Sequence, residues 1–418
     1  MSLNMKVEQM YRFHSFETPT VIKHGIGSIK HVGNEVRNLG VNKILLVTDP
    51  GIFKAGVVNP IINYLKEADV EVVLFDKVEP NPPVRLVNEG STLYKAEKCD
   101  GLIAVGGGSS MDTAKAIGVE ATHEGSVLDY EAADGKKPLE NRIPPLVTIP
   151  TTAGTGSEVT QWAVITDEER QFKFNTGGPL IAAHLTIIDP ELHLSMPPHV
   201  TAMTGVDALA HAIECYTMKY AQPITDAVAL LAMEYVSKYI RRAYSDGEDL
   251  EARYGMAQAA MLAGLSYGSE SAGAAHAMSQ TLGGIIPVAH GQCVAAMMGP
   301  VMEYNWKGNP EKFARIAQAV GINTHGLSTE EAAKAAVNWV YELVEDLDIP
   351  TLEEQGVSPD MVDRLAEEAL NDPQTIGNPR DLNLNAYKWI YKRCFNLVPK
   401  TISTQKADSV APEKVAAY

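Results

Sequence analysis

The sequence predicts an α/β domain over residues 1–195, built on a parallel sheet, followed by an all-helical domain over residues 196–418. Three observations carry this. A chain of 418 residues is long for a single hydrophobic core. Short β-branched runs alternate with amphipathic stretches between residues 40 and 190, the pattern of strands joined by helical crossovers. From about Pro197 those runs stop, and Ala, Leu, Met and Glu dominate, with apolar residues recurring at three and four, which is the period of packed helices.

In chain order, strands are expected at 43–47, 70–75, 101–105, 145–149 and 185–189, with amphipathic helices at 59–68 and 83–98. In the second half, helices are expected near 200–219, 224–244, 249–267, 271–282, 310–320, 328–347, 359–370 and 384–396, broken at Gly321, Pro350 and Pro379. The tail from Thr401 to Tyr418 has no clear periodicity and is left unassigned. Lys plus Arg number 35 against 52 Asp plus Glu, a net charge of -17, which argues against nucleic acid or an anionic membrane as partner. Cys99, Cys215, Cys293 and Cys394 are scattered without C-x-x-C spacing, so a reducing cytoplasm is expected in place of a disulfide framework. No run of about 18 apolar residues offers a membrane span.

Ligands of a parallel sheet bind beyond the carboxyl ends of its strands, and three of those ends carry unusual residues. After Val47 comes Asp49, which can accept from the hydroxyls of an adenosine ribose and repel a 2'-phosphate, favouring NAD over NADP, though from this residue alone a cap of the next helix is the preferred reading. After Val105 come Gly106, Gly107, Gly108 and Ser109, where backbone N–H groups and a helix N-terminus can meet a pyrophosphate. Met111 breaks the G-x-G-x-x-G fingerprint and Asp49 precedes the glycines, so this reads as a phosphate cradle outside the standard Rossmann pattern, or equally as a glycine-rich turn that holds no ligand. After Ile149 comes the hydroxyl-rich stretch from Thr151 to Thr160, made of small residues that can lie against a flat cofactor.

Every candidate metal ligand lies in the second half. Asp207 and His211 stand four apart in a helical segment, so both side chains project from one face, one turn apart. His276 lies among small residues and His290 follows Gly283, Gly284 and Pro287, at an expected helix-to-helix turn. One carboxylate and three imidazoles form a site for a divalent transition metal. His14, His24, His31, His123, His184, His193 and His199 show no comparable spacing and are expected on surfaces or caps. Glu214 can orient one of the imidazoles, though a helix-surface acid is the preferred reading, and Tyr267 is read as a core residue before a wall of the substrate pocket.

The stretch from Thr204 to Glu214, with His276 and His290 fourteen apart, resembles the metal site of the iron-activated, group III alcohol dehydrogenases. The likeness extends over nearly the whole chain, through Val47-Thr48-Asp49, Glu79-Pro80-Asn81-Pro82, the glycine run with Asp112, the loop from Thr151 to Glu158, and Gly377-Asn378-Pro379-Arg380. It implies an α/β nucleotide domain and an all-α metal domain with the active cleft between them, a dehydroquinate synthase-like architecture. It implies that Asp207, His211, His276 and His290 hold Fe(II), with Zn(II) or another divalent ion as alternatives. It implies that Asp49, Asn81, Gly107, Gly108, Ser109, Thr151, Thr152, Thr155, Thr160 and Lys173 line an NAD site. The implied reaction is hydride transfer between a small primary alcohol or diol, or the corresponding aldehyde, and NAD, with the metal as Lewis acid, in a homo-oligomer that is a dimer or larger. A sugar-phosphate cyclising lyase of the dehydroquinate synthase type is the alternative on the same plan, but it needs a basic phosphate pocket, and no Lys/Arg cluster flanks Asp207, His276 or His290. One departure stands out. Many relatives carry a histidine four residues after the third ligand, and this chain has Gln280, which cannot exchange a proton near neutral pH.

Overall fold

The structure, a computed structural model, describes residues 12–133, 135–267, 272–398 and 400–402; the tail beyond Ile402 lies outside the described residues. The first half forms a six-stranded sheet whose registered pairs are all parallel. Its strands are β1 (Val21–His24), β2 (Lys43–Val47), β3 (Glu71–Phe75), β4 (Gly101–Gly106), β5 (Leu146–Pro150) and β8 (Leu185–Ile188), in the order β1-β8-β5-β4-β2-β3. Helices α1 (Val32–Asn38), α2 (Pro50–Lys54), α3 (Val58–Glu67), α4 (Val84–Ala96) and α5 (Gly108–Thr122) connect them.

The central strands read as unbroken apolar runs because both faces are covered. Leu45, Val47, Leu102 and Ala104 pack with Leu86 and Val87 of α4 and Met111 and Ile117 of α5. Their neighbours Ile44, Leu46, Ile103 and Val105 pack on the other face with Val32 and Val36 of α1 and Ile61 and Leu65 of α3. β2 is paired on one side with β3 and on the other with β4. The winding therefore reverses at β2, and a crevice opens between the carboxyl ends of β2 and β4. Asp49 and the glycine run follow those two strand ends.

Two elements of this half depart from the expectation. β1 is a four-residue edge strand. An antiparallel hairpin, β6 (Trp162–Asp167) with β7 (Phe172–Gly177), stands apart from the main sheet. Its strands are not continuous apolar runs; β6 alternates between fully and partly buried positions.

The second half contains nine helices among the described residues: α6 (Pro198–Thr217), α7 (Pro223–Ser245), α8 (Leu250–Ser266), α9 (Ala274–Ile285), α10 (His290–Asn305), α11 (Pro310–Ala319), α12 (Thr329–Asp346), α13 (Val362–Asn371) and α14 (Leu384–Cys394). A single core that includes Val206, Leu209, Met233, Val236, Val294, Met298, Val337 and Val340 joins them. α10 was not expected. It carries Pro300 in its interior, a residue that removes a backbone donor and ordinarily marks a helix end. His290 is consequently the first residue of a helix and does not lie in a turn.

The halves meet where the hydroxyl-rich loop lies on α6 and α8. A Cβ on Gly264 of α8 would stand 2.7 Å from the Gly156 carbonyl oxygen and 2.8 Å from its Cα. Gly156 itself has φ +63, a conformation that glycine adopts without strain. Replacing Gly264→Val is expected to cost roughly 1–3 kcal/mol of stability, the usual penalty for overfilling a tight contact, measured by urea unfolding. A variant as stable as the parent would show that loop and helix do not approach this closely.

Candidate active site

α6 begins with Pro198 in its first turn and is buried almost throughout from Gly205 onward. Asp207, His211 and Glu214 lie along one of its faces, at spacings of four and three. The Nδ1 of His211 is 3.0 Å from the Asp207 carbonyl oxygen. A carbonyl only accepts, so Nδ1 carries the proton and the Nε2 lone pair is free. The same tautomer is imposed on the other two imidazoles. His276 Nδ1 lies 2.6 Å from the Glu214 carboxylate. His290 Nδ1 lies 2.9 Å from Ser279 Oγ, and that hydroxyl donates its own proton to the His290 carbonyl at 3.0 Å.

Glu214 is therefore no surface acid. It is buried and accepts from the backbone N–H of Gly273 at 3.1 Å and of Ala275 at 2.7 Å as well as from His276. One carboxylate thus satisfies orphan donors at the start of α9 and fixes the ring that α9 presents.

The donor atoms of Asp207, His276 and His290 lie within 4.8 Å of one another. Asp207 Oδ1 is 3.6 Å from His276 Nε2 and 3.9 Å from His290 Nε2. His211 stands beside this trio, its ring centroid 4.0 Å from that of His276. Asp207 Oδ1 and His276 Nε2 are buried and have no hydrogen-bond partner. Such orphans cost about 1–3 kcal/mol each, and a divalent cation between them satisfies both. Burial pushes the Asp207 carboxyl up, but His211, His276 and His290 around it outweigh that and hold it well below the usual carboxylate range. Burial lowers His211 to about 4 and His290 to about 3, leaving both neutral, as a metal ligand must be. Burial also opposes charge on His276, yet the Asp207 and Glu214 carboxylates override it and raise this ring to about 9. The cluster favours positive charge at its centre, and its residues fit a divalent transition metal.

A cavity of about 140 Å³ joins this cluster to the first half. Gly108, Ser109, Thr155, Thr160, Asn81 and Lys173 line it on one side, and His211, His276 and His290 on the other. Gly107 caps α5, and Gly108 and Ser109 begin it, directly after β4. A Cβ on Gly108 would come within 2.8 Å of the Thr155 methyl, and one on Gly107 within 3.2 Å of the Thr152 hydroxyl, so this close packing needs glycine. Asn81, at φ 53, donates from Nδ2 to the Val288 carbonyl at 3.0 Å and ties the halves together just before His290. Lys173 is buried on β7, its Nζ set against Gly283, and burial lowers it to about 8.

Four expected nucleotide residues lie off this cavity, and Asp207 is buried behind the histidines without lining it. Asp49 acts as a helix cap, accepting from the N–H of Gly51 at 2.8 Å and of Ile52 at 3.0 Å, with its other oxygen facing Gly106. Gly107 and Thr152 pack on one another, and Thr151 is buried with its N–H on the Gly106 carbonyl at 3.0 Å. Among the remaining histidines, His193 departs from its expected surface position. It is buried with Nε2 3.0 Å from the Pro150 carbonyl, and burial lowers it to about 4.

Sequence reasoning missed the brace behind the hydroxyl loop. Lys115 of α5 is fully buried and donates to the carbonyls of Ser157 at 2.7 Å, Trp162 at 2.8 Å and Thr160 at 3.1 Å. Asp112, one turn earlier, accepts from Ser157 Oγ at 2.6 Å and from the Val164 N–H at 3.1 Å. The available sign was an Asp and a Lys three apart within the otherwise small and apolar run of α5. Tyr267 lines the cavity, edge-on to His211 at 5.8 Å, and its hydroxyl donates to Gln374 Oε1 at 3.3 Å. Gln280 lines the cavity too, donating to the Lys173 carbonyl at 3.2 Å and accepting from Gln374 Nε2 at 3.0 Å.

Two substitutions test this architecture. Glu214→Gln is expected to lower metal affinity by about 10–100-fold with far-ultraviolet circular dichroism unchanged, read by competition with a chelator; parental affinity would remove Glu214 from its orienting role. Lys115→Met removes the buried cation that three carbonyls share and leaves Asp112 without its neighbour, and is expected to cost about 3–5 kcal/mol, read by urea unfolding.

Residues 19–190 match the family described as iron-containing alcohol dehydrogenase, and residues 201–395 match the C-terminal region of the Fe-containing alcohol dehydrogenase family. The chain is 84% identical over 402 residues to a choline dehydrogenase of Bacillus subtilis (strain 168), covering 96% of this chain and 100% of that protein. It is 40% identical over 388 residues to the 1,3-propanediol dehydrogenase of Citrobacter freundii, covering 92% and 100%. A crystal structure of a 1,3-propanediol oxidoreductase superposes with a TM-score of 0.89 at 40% identity, covering 92% of this chain and all of that one. The chain belongs to the iron-containing alcohol dehydrogenase family.

Proposed function

We propose that this protein is a metal-assisted, NAD-linked dehydrogenase of small primary alcohols. The observation that carries the reading is that the donor atoms of Asp207, His276 and His290 lie within 4.8 Å of one another, with His211 beside them, at a cavity that the three histidines and the start of α5 line. Asp207, His211, His276 and His290 are the residues that hold the metal in this reading. Asp49, Asn81, Gly107, Gly108, Ser109, Thr151, Thr152, Thr155, Thr160 and Lys173 hold the nucleotide. The division between the two falls near residue 195.

In the reaction the alcohol carbon loses hydride and its oxygen loses a proton, leaving the aldehyde. When bound, a divalent ion supplies Lewis-acid polarisation of the hydroxyl oxygen and the nicotinamide supplies the hydride acceptor. The chain's residues do the rest by position. The first turn of α5 presents unpaired backbone N–H groups to the nucleotide phosphates. Lys173 adds positive charge on the same wall. The three Nδ1 hydrogen bonds keep each imidazole in the tautomer and orientation that aims Nε2 into the cavity. Gln280, held by Gln374 and the Lys173 carbonyl, orients without exchanging a proton.

Choline is itself a primary alcohol, and the relative that this chain matches at 84% identity over its full length is named a choline dehydrogenase. We take choline as the substrate. We also take the enzyme to be a homo-oligomer of the cytoplasm. None of the four cysteines is in a disulfide, and no helix among the described residues is long and apolar enough to cross a membrane.

The test is NADH formation from choline and a panel of primary alcohols and diols, on protein reconstituted anaerobically with Fe(II) or Zn(II). His276→Ala is expected to lower kcat/KM by about a thousand-fold or more, equivalent to roughly 4 kcal/mol at the transition state. A metal-free variant that still accumulates NADH would overturn the proposal. A lyase of the same architecture would return its nucleotide unchanged and accumulate none.

A further inference from the structure

We infer that Trp162 and Tyr267 form a subsite for the quaternary-ammonium end of the substrate, holding the cation against their ring faces while its hydroxyl reaches the metal cluster. This rests on the proposed oxidation of an alcohol at Asp207, His211, His276 and His290, and it names the substrate class by chemistry. A trimethylammonium group has no N–H to donate, so the amides of Gln280 and Gln374 cannot hold it by accepting a hydrogen bond. It is bound by a carboxylate or by aromatic faces. Of the side chains that line the cavity, Asp112 is the acid outside the metal cluster, and its oxygens are taken by Ser157 and Val164. The aromatic faces remain.

One ring comes from each half of the chain, and each is anchored. Tyr267 ends α8, tied by its hydroxyl to Gln374 and standing edge-on to His211 with centroids 5.8 Å apart. Tyr267 is thus an aromatic ring on the cavity wall next to the histidine cluster. Trp162 begins β6, and a Cβ on Gly177 would come within 2.0 Å of its ring. The indole thus lies on the Gly177 backbone, and Trp162 borders the cavity. Both rings also border an adjoining chamber of about 330 Å³ with Glu17 on its wall, a route along which a cation passes an acid before meeting the rings. The net charge of -17 favours the approach of a cation to the molecule as a whole. Gln280 adds no second cation to the Lys173 already on the cavity wall, where a protonated imidazole would repel the substrate further.

The test compares choline with 3,3-dimethylbutan-1-ol, the isostere in which carbon replaces the charged nitrogen. The readout is the ratio of their kcat/KM values. Tyr267→Leu and Trp162→Leu are each expected to lower that ratio by about ten-fold, the scale of a desolvated cation–π contact, while Tyr267→Phe and Trp162→Phe keep it within about three-fold. Equal losses on both alcohols would mean that the rings only shape the cavity and would overturn the inference. Because a variant can misfold, tetramethylammonium is also tested on the wild-type holoenzyme. Competitive inhibition of 3,3-dimethylbutan-1-ol oxidation supports the subsite, and no inhibition overturns it. Wild-type enzyme that oxidises the neutral alcohol but not choline sinks the subsite and leaves the dehydrogenase standing. Tetramethylammonium binding by calorimetry, with no NADH from any alcohol, supports the subsite and sinks the dehydrogenase.

Discussion

The buried carboxylate of Glu214 is the interaction on which the geometry of the second half depends. It sits one turn beyond His211 and two beyond Asp207 on α6, so a single helical face carries two members of the cluster and the group that aims a third. Its other contacts are the N–H groups of Gly273 and Ala275. A carboxylate accepting several N–H bonds is stable at burial only while all of them are in place. The start of α9, the tautomer of His276 and the register of α6 are therefore fixed together, and none can shift alone.

The first half meets this arrangement with a brace of opposite sign. Lys115 is a buried cation whose donors are spent on the carbonyls of Ser157, Thr160 and Trp162. Asp112, one turn away, takes the Ser157 hydroxyl and the Val164 N–H. A loop rich in glycine and hydroxyls has little shape of its own, because each such residue samples many conformers. Pinned from α5, it presents Thr155 and Thr160 to the cavity and its own backbone to α8. The same helix that offers its first turn to the cavity thus holds the opposite wall in place.

What the sequence revealed followed from how each element is buried. The central strands were legible because a strand covered on both faces is an unbroken apolar run. The β6–β7 hairpin was not, because its faces differ and its turn is charged. Lys173 could therefore be named only through the family likeness. α10 went unrecognised because Pro300, a residue that ordinarily ends a helix, stands in its interior. Asp207 and His211 were legible from spacing on one helix. Glu214 lies on the same helix, but its partners are 59 to 62 residues away, and nothing local separates a buried acid from a solvated one. Lys115 was passed over for the same reason.

Gln280 sharpens that contrast between local and distant constraint. Its neighbours demand opposite things of it: Gln374 Nε2 needs an acceptor and the Lys173 carbonyl needs a donor. An amide supplies both at every pH. An imidazole supplies both only while neutral, and on protonation it loses the acceptor and places a cation beside Lys173. Gln374 in turn accepts from Tyr267, which stands against His211. The chain of contacts from the hairpin through Gln280 and Gln374 to Tyr267 therefore reaches the histidine cluster without a group that titrates near neutral pH. A wall so constructed keeps one shape and one charge across the neutral range, and this constancy is what a histidine at position 280 could not provide.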